Sequence, residues 1–285
     1  MRVFITGLNG FIGSLVSDRF LAENHEVHGS VSSSSKLAGL AQRGINASVI
    51  SLGSPFDANV FEGVDLVIHC AHDFSKDSQE KNINGTIEIF RSARMEGVKQ
   101  QVFLGSYSAH QGCETEYGLT KWKLENYFKD EGELVLKPGL IVGRGGLFLK
   151  IFKLMRLLPI LPLIDSGRGL IPILGATDFL NALQLLVQKN KKGIVRLYRS
   201  ERVSLKEFAC EIRRSNDLWV LFFPLPVFIV LFATRVLSIV GIQLGINEEN
   251  IRGFESNQSL SGESDLRLYV QSPQNLREMI QSIPK

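Results

Sequence analysis

The chain has 285 residues, 44% hydrophobic and 21% charged, with a formal net charge of +3, which is ordinary for a soluble globular protein. Charges of both signs are interspersed without a basic stripe, so nucleic-acid binding is not expected. The three cysteines, Cys70, Cys113 and Cys210, are odd in number and widely spaced, which argues against a disulfide framework and fits a reducing cytoplasm.

The N-terminal segment predicts a dinucleotide-binding turn. Residues 3–5 read as a buried parallel strand, and a helical pattern follows from residue 14. The strand begins so early that no signal peptide is expected. Between them, Gly7 allows a tight turn, Gly10 lets backbone N–H groups approach phosphates, and Gly13 permits close helix–strand packing. A helix N-terminus adds its positive dipole end. The predicted cofactor contacts are Gly7, Gly10, Phe11, Ile12 and Gly13.

The second predicted strand, residues 26–31, is followed by a serine-rich segment. A carboxylate at this position binds the adenosine ribose in NAD-preferring proteins, and none is present here. Ser32, Ser33 and Lys36 are instead predicted to hold the 2′-phosphate of NADP. A solvated polar loop is the alternative, and NAD is not excluded.

The next predicted strands end at residues with chemical side chains. Residues 65–69 form a predicted strand that ends at His69, with His72 three positions further on. Because side chains alternate along a strand, the two histidines would point to opposite faces, and zinc needs four ligands, so no metal site is predicted. Residues 102–104 form another predicted strand, which leads to Ser106.

A helix that starts near residue 117 carries the pair Tyr117 and Lys121. Positions four apart share one face of a helix. An ammonium beside a phenol favours the phenolate, so the lysine is predicted to lower the tyrosine pKa. Such a tyrosine can exchange a proton with a carbinol oxygen near neutral pH.

The second half of the chain contains two apolar segments. Residues 178–186 predict a helix, residues 194–198 a strand, and Ser204 with Glu207 a helix-opening capping box. In the run 218–240, Pro224 and Pro226 leave a predicted helix from Pro226 to about residue 240. Such a helix spans roughly 22 Å, short of the ~30 Å hydrocarbon core. Packing on the core is the expectation, and a peripheral membrane contact, together with the basic amphipathic run 147–158, is the alternative.

In order along the chain, these motifs resemble the extended short-chain dehydrogenases/reductases, the NAD-dependent epimerase/dehydratase family. The resembling phrases are T-G-x-x-G-x-x-G at 6–13, H-C-A-H at 69–72, N-I-N-G-T at 82–86, Tyr117 with Lys121, and K-P-G-L-I-V-G at 137–143. The resemblance implies a doubly wound α/β Rossmann fold with a small C-terminal substrate lobe. It assigns 1–146 and 168–198 to the dinucleotide-binding domain, and 147–167 and 199–285 to the lobe.

The resemblance also implies residue roles. Tyr117 would be the general acid/base, Lys121 would bind the nicotinamide ribose, and Ser106 would orient the substrate oxygen, with Ser108 as the alternative. Asn82 would support a water relay or serve as a helix cap. Arg144 and Arg168 are candidates for substrate phosphates, or are surface residues. Further cofactor contacts implied are Leu52, Ala71, His72, Pro138 and Ile141.

The implied function is an NAD(P)-dependent oxidoreductase or epimerase that acts at a carbinol or ketone carbon, with a nucleotide sugar as substrate. The first alternative is a reductase of a hydrophobic carbonyl compound. The second is a non-catalytic dinucleotide-binding protein, because only eleven positions separate Ser106 from Tyr117, about half the family's usual distance. A homodimer formed through the helices of Asn82 and Tyr117 is also expected.

Overall fold

A computed structural model describes residues 1–230, 248–260 and 262–283. Its centre is a seven-stranded sheet in the order β11-β6-β5-β4-β1-β2-β3, in which every neighbouring pair is parallel. The strands of this sheet are β1 (Arg2–Thr6), β2 (Glu26–Val31), β3 (Asn46–Val49), β4 (Leu66–His69), β5 (Gln100–Leu104), β6 (Leu134–Pro138) and β11 (Gly193–Leu197).

Helices cover both faces of this sheet because its inner strands are apolar on both sides. In β1, Val3 and Ile5 face one core and Phe4 faces the other. The first core is completed by α1 (Phe11–Ala22) and α5 (Ala176–Gln188), and the opposite face by α2 (Gln79–Met95) and α3 (Glu116–Asp130). This is the doubly wound Rossmann arrangement that the sequence predicts, with the order of strands reversing between β1 and β4.

A second core lies beside the sheet. It is built around Phe148, Phe208 and Met279, and is joined by Ile171 and Ile173 from within 168–198. Ser204 and Glu207 form the predicted capping box. The domain boundaries remain a prediction. The remaining elements are β7 (Leu140–Val142), α4 (Gly146–Leu157), β8 (Ile160–Ile164), β9 (Leu170–Ile171), β10 (Ile173–Gly175), β12 (Val203–Ser204), α6 (Leu205–Ser215), β13 (Leu221–Leu225), α7 (Glu248–Ser256), α8 (Leu266–Tyr269) and α9 (Leu276–Gln281).

The apolar run after residue 217 contains a strand that the sequence did not predict, followed by the start of the helix that was predicted from Pro226. Its first part forms β13, which pairs in parallel with β8, and residues 227–230 then begin a helix. Pro224 lies within β13, where a two-stranded sheet leaves one edge free of ladder partners. The rest of the predicted helix, to residue 240, lies outside the described residues. Among the helices of the described ranges, none is long and apolar enough to cross a bilayer.

Candidate active site

The glycine turn between β1 and α1 lies at the point where the strand order reverses. Gly7 has φ of +72°, and a Cβ there would lie 2.9 Å from the Cα of Ala71. A Cβ at Gly13 would overlap the carbonyl oxygen of Gly7. The Thr6 hydroxyl accepts from the N–H groups of Cys70 and Ala71, 3.0 Å each, which holds the end of β4 against the turn.

Because Gly7 and Gly13 have no room for a Cβ and Gly10 carries none, a ligand can approach the backbone closely at these positions. Gly10 is the N-cap of α1, so the first N–H groups of the helix point toward the turn. This cradle fits the pyrophosphate of a dinucleotide.

Phe11, at the start of α1, packs against a second glycine-rich segment. A Cβ at Gly145 would overlap the Phe11 ring, and one at Gly143 would lie 2.9 Å from it. Gly146, at φ +59°, also lies beside this ring. The loop that leads from β7 to α4 therefore depends on glycine to lie beside the dinucleotide turn.

The residues after β2 form a polar cluster next to the same turn. The Lys36 ammonium donates to the Ser32 hydroxyl at 2.7 Å, and the Ser33 and Ser35 hydroxyls lie 3.0 Å apart. The Asn9 amide donates to the Lys36 carbonyl at 2.7 Å and ties the cluster to the glycine turn. The structure thus brings together the three residues predicted to hold a 2′-phosphate, and all carry donors.

Tyr117 lies in the first turn of α3. The Thr115 hydroxyl caps this helix by accepting from the Gly118 N–H at 3.0 Å. Burial raises the pKa of Tyr117, and the charges of Glu125 and Glu249 raise it further, whereas a hydrogen bond from the Ser106 side chain lowers it. The phenol and the Ser106 hydroxyl therefore lie next to each other at the carboxyl edge of the sheet.

Lys121 lies one turn further along α3 and is almost fully buried. Its ammonium donates to the Leu104 carbonyl at 2.6 Å and lies 4.7 Å from the Phe103 ring centroid. Burial lowers the pKa of Lys121 to about 8. The prediction that this lysine lowers the tyrosine pKa is wrong: the pKa of Tyr117 is raised, and burial is the largest cause.

Glu125 adds a buried carboxylate that the sequence analysis missed. It accepts from the Ser106 N–H at 2.9 Å and pairs with the Lys137 ammonium at 2.8 Å. A Cβ at Gly105 would overlap this carboxylate. The sequence did indicate this position, because Glu125 follows Lys121 by four residues and therefore lies on the same face of the helix.

Two aromatic rings cover Tyr117. The His72 ring meets it edge-on at 5.0 Å, and the exposed Phe74 ring stacks on it at 5.9 Å. Burial lowers the pKa of His72 to about 3, and the Lys121 charge lowers it further. The surroundings of the phenol are therefore aromatic and uncharged on this side.

The segment 248–260 packs against the loop between β5 and α3. Glu249 accepts from the Tyr117 N–H at 2.8 Å, and the Asn257 amide donates to the Ser108 hydroxyl at 2.9 Å. The His110 ring lies 3.2 Å from the Ser256 hydroxyl. Ser108 thus contacts the C-terminal segment, and Ser106 is the serine next to Tyr117.

Asn82 holds the loop after β4. Its side-chain oxygen accepts from the Asp73 N–H at 2.7 Å, and its amide donates to the Asp73 carbonyl at 2.8 Å. It is the fourth residue of α2, whose N-cap is Ser78, so it is not the helix cap. His69 ends β4, and its ring forms a hydrogen bond with the Gln101 side chain at 2.8 Å, whereas His72 lies beyond the strand and contacts Tyr117.

The other residues predicted to bind cofactor or substrate lie in the cores, in the loop after β6 or on the surface. Ile141 and Leu52 are buried in the cores. The Pro138 carbonyl accepts from the Tyr107 N–H at 3.0 Å, which fixes the loop after β6 near Ser106. Arg144 is exposed, and Arg168 forms a surface ion pair with Asp165 at 2.7 Å.

Together, the doubly wound sheet and the glycine turn define a Rossmann protein, and α3 beside them carries Tyr117 and Lys121, the pair on which the predicted resemblance depends. Residues 3–127, from β1 into α3, match the model of the NAD dependent epimerase/dehydratase family. This match covers a little less than half of the chain, and it agrees with the family that the motifs resemble. No curated protein sequence matches it.

Solved structures with low sequence identity share the fold over nearly the whole chain. The triphenylmethane reductase of Citrobacter sp., complexed with NADP(H), has 17% identity and a TM-score of 0.75, covering 98% of this chain and 99% of its own. A nucleoside-diphosphate-sugar epimerase of Staphylococcus aureus has 15% identity and a TM-score of 0.74, covering 99% and 100%. A UDP-glucuronic acid 4-epimerase mutant of Bacillus cereus, with NAD and a fluorinated UDP-sugar, has 14% identity and a TM-score of 0.73, covering 99% and 97%.

Proposed function

We propose that this protein is an NAD(P)-dependent oxidoreductase or epimerase that acts at a carbinol or ketone carbon. The observation that carries the proposal is that the Ser106 hydroxyl lies close enough to the Tyr117 phenol to lower its pKa, with Lys121 one turn along the same helix. This pair lies at the carboxyl edge of the parallel sheet, on the side of the glycine turn. A non-catalytic dinucleotide-binding protein would have no need of a buried lysine at this point.

In this proposal the side chains orient the substrate and move one proton. Ser106 donates a hydrogen bond to the substrate oxygen, and Tyr117 exchanges the proton on that oxygen. Lys121 holds the nicotinamide ribose, and Glu125 fixes the Ser106 backbone. A bound nicotinamide dinucleotide supplies or accepts the hydride.

For the cofactor we propose NADP. The cluster of Ser32, Ser33 and Lys36 offers hydroxyl and ammonium donors where a ribose 2′-phosphate would lie. No carboxylate follows β2 to accept from a free 2′-hydroxyl. One similar structure, the triphenylmethane reductase, contains NADP(H), while the Bacillus cereus epimerase contains NAD.

For the substrate we propose a nucleotide sugar, with 4-keto reduction or epimerisation as the reaction, since two of the similar structures are named as sugar-nucleotide epimerases. A hydrophobic carbonyl compound is the second candidate. It is favoured by Phe74 and the neutral His72 ring on Tyr117, and by the carboxylate of Glu249 on the other side. A diphosphate near that carboxylate would be repelled.

We also propose a cytoplasmic homodimer that contacts a membrane peripherally. The three cysteines are free, which suits a reducing compartment. The half-buried Leu119 and Trp122 of α3 would contribute to a dimer interface with α2. Light scattering in solution tests the dimer.

The Tyr117→Phe variant tests the proposed chemistry. Loss of the phenolic proton should lower kcat by at least about a hundredfold, because general acid catalysis contributes 10²–10⁴-fold. Binding of NADPH and NADH, measured by calorimetry, should stay within about twofold, and NADPH should bind more tightly. Turnover is measured with keto-sugar nucleotides and with apolar ketones.

The matched control is Tyr127→Phe on the same helix, whose ring packs against Phe90. This variant should keep its turnover. Equal turnover of the Tyr117→Phe and wild-type proteins would contradict the mechanism. A wild-type protein that binds cofactor but turns over neither substrate class would favour the non-catalytic alternative, and tighter binding of NADH would contradict the NADP proposal.

A further inference from the structure

The two-stranded sheet formed by β8 and β13 is apolar on both faces. In the parallel register, Ile160 pairs with Leu221 and Pro162 with Phe223, and all four are exposed. The alternate positions, Leu161, Leu163 and Phe222, pack into the core beside α4 and α6. A sheet with one solvated face normally carries polar residues there, so the outward face of this one is unusual.

Large apolar side chains extend this face at both ends. Trp219 lies two residues before β13, and Leu157 ends α4 just before β8. The Leu221 N–H donates to the Pro159 carbonyl at 2.8 Å, which joins the two segments. We name this set the apolar surface: Leu157 (75% exposed), Ile160 (56%), Trp219 (89%), Leu221 (59%), Phe223 (56%), Phe228 (69%) and Ile229 (38%). Single exposed apolar residues are common in proteins, but seven in three adjoining segments indicate an interaction site.

Within the segments that carry the apolar surface, 146–164 and 218–230, every charged residue is positive. Lys150, Lys153 and Arg156 follow each other at intervals of three on α4 and are exposed. The sequence contains no Asp or Glu in 146–164, and no charged residue at all in 218–230. A ligand for this face must therefore combine an apolar interior with negative charge at its edge.

We propose that this face binds the surface of an anionic lipid bilayer, with Trp219, Phe223 and Leu221 in the interfacial region and the α4 cations on the headgroups. Aromatic and aliphatic residues flanked by Lys and Arg are the composition of interfacial membrane contacts. The centres of protein–protein interfaces are instead depleted in lysine. The contact does not require the proposed catalytic activity, because no residue of the apolar surface belongs to the candidate active site.

The chain contains two tryptophans, Trp122 and Trp219, so a Trp122→Phe protein reports on Trp219 alone. Its fluorescence is measured with vesicles of phosphatidylcholine and with vesicles that also contain phosphatidylglycerol. We expect a blue shift and quenching by brominated acyl chains with the anionic vesicles, and flotation of the full chain with them. With pure phosphatidylcholine the affinity should be much lower.

Two variants separate the apolar and the electrostatic parts of the contact. Leu221→Ser with Phe223→Ser should weaken vesicle binding at least about tenfold, since the apolar burial is lost. Lys150→Gln, Lys153→Gln and Arg156→Gln together should weaken binding to anionic vesicles on the order of a hundredfold. Leu268→Ser, at an exposed leucine on α8 outside the surface, is the matched control and should bind as the wild type does.

Circular dichroism and the urea midpoint check that each variant is folded. The proposal would be overturned if anionic vesicles caused neither a blue shift in the Trp122→Phe protein nor flotation of the wild type. It would also be overturned if the folded Leu221/Phe223 variant bound these vesicles as well as the wild type does. If the wild type were a dimer and this variant a monomer that still bound vesicles as the wild type does, the face would be an interface between copies of the chain. If Trp219 is already shielded from acrylamide without vesicles, the surface is covered by the chain itself and the proposal is wrong.

Discussion

At the scale of single residues, the balance between burial and charge pairing decides the properties of the candidate site. Glu125 is almost fully buried, and burial raises its pKa although the Lys137 ammonium, 2.8 Å away, lowers it. The free-energy cost of removing the carboxylate from water thus exceeds the stabilisation by the ion pair, as is common for buried pairs. The pair nevertheless holds the Ser106 backbone, because the same carboxylate accepts from its N–H.

Glu125→Gln should destabilise the protein more than it disturbs the geometry. The amide oxygen can still accept from Ser106, but Lys137 loses its counter-charge in a largely buried position. We expect the free energy of unfolding to fall by only about 1 kcal/mol, less than is usual for removing one partner of a buried pair, because the neutral amide also avoids the desolvation that raises the pKa of Glu125. Urea unfolding at pH 7 measures the loss.

A double variant with Lys137→Met is the control for this prediction. Replacing both charges removes the unpaired ammonium, so part of the lost stability should return. If the single and double variants were equally destabilised, packing around Glu125 would be responsible and the charge would not matter.

At the scale of elements, the parts of the fold that follow from local patterns were predicted from the sequence. The strand before Gly7, the glycine turn and the capping box at Ser204 each depend on neighbouring residues. Tyr117 and Lys121 could be placed on one helix face for the same reason. For these elements, the sequence periodicity and the tertiary structure favour the same conformation.

The remaining parts depend on partners far away in the chain. β13 forms in a run interrupted by two prolines because β8 pairs with it, and no local pattern of 218–225 indicates that pairing. Glu249 meets the Tyr117 N–H across 132 positions. The pKa of Tyr117 differs from its prediction for a related reason, because burial by the whole site has the largest effect on it, and the i, i+4 spacing gives no information on that burial.

The contact of α7 with α3 predicts a shift in pH dependence. Glu249→Gln keeps an acceptor for the Tyr117 N–H but removes a negative charge that raises the phenol pKa. The pKa of Tyr117 should therefore fall. The limb of the pH profile of kcat/KM that belongs to this group should move to lower pH, in whichever direction the proton is transferred.

Glu255→Gln, on the exposed side of the same helix, is the matched control. It removes the same charge from α7 at a position whose charge does not act on Tyr117. Its profile should coincide with that of the wild type. An identical shift in the two variants would indicate an effect of net charge and would contradict a specific contact.

At the scale of the whole molecule, His69 makes stability depend on pH from within the core. Its Nε2 lies 2.8 Å from the Gln101 side-chain oxygen, and the Gln101 amide donates to the Phe90 carbonyl, so Nε2 carries the proton. Its Nδ1 is buried and has no hydrogen-bond partner among the described residues, and the Phe128 ring lies edge-on at 4.8 Å. A second proton would enter an aromatic environment, and burial accordingly lowers the pKa of His69 to about 4.

A histidine with a lowered pKa in the folded state destabilises the fold in acid. Between pH 6.5 and about 4 the unfolded chain binds a proton at this position that the folded chain does not. The free energy of unfolding should therefore fall with decreasing pH by up to about 1.4 kcal/mol per unit from His69 alone, about 3 kcal/mol in total. His72, whose pKa burial lowers to about 3, adds to the same slope.

His69→Gln should reduce this acid sensitivity, because a glutamine amide can donate to Gln101 and does not titrate. Urea unfolding of the two proteins at pH 8, 6, 5 and 4.5 measures the slopes. Because a neutral histidine is present in both states at pH 8, the difference between the proteins there gives the packing effect alone. After this pH 8 difference is subtracted, the free energy of unfolding of the variant should exceed that of the wild type as the pH falls below 6. Parallel curves over the whole range would mean that His69 is protonated in the folded protein or exposed to solvent, and that the core around Phe90 and Phe128 is not closed as described.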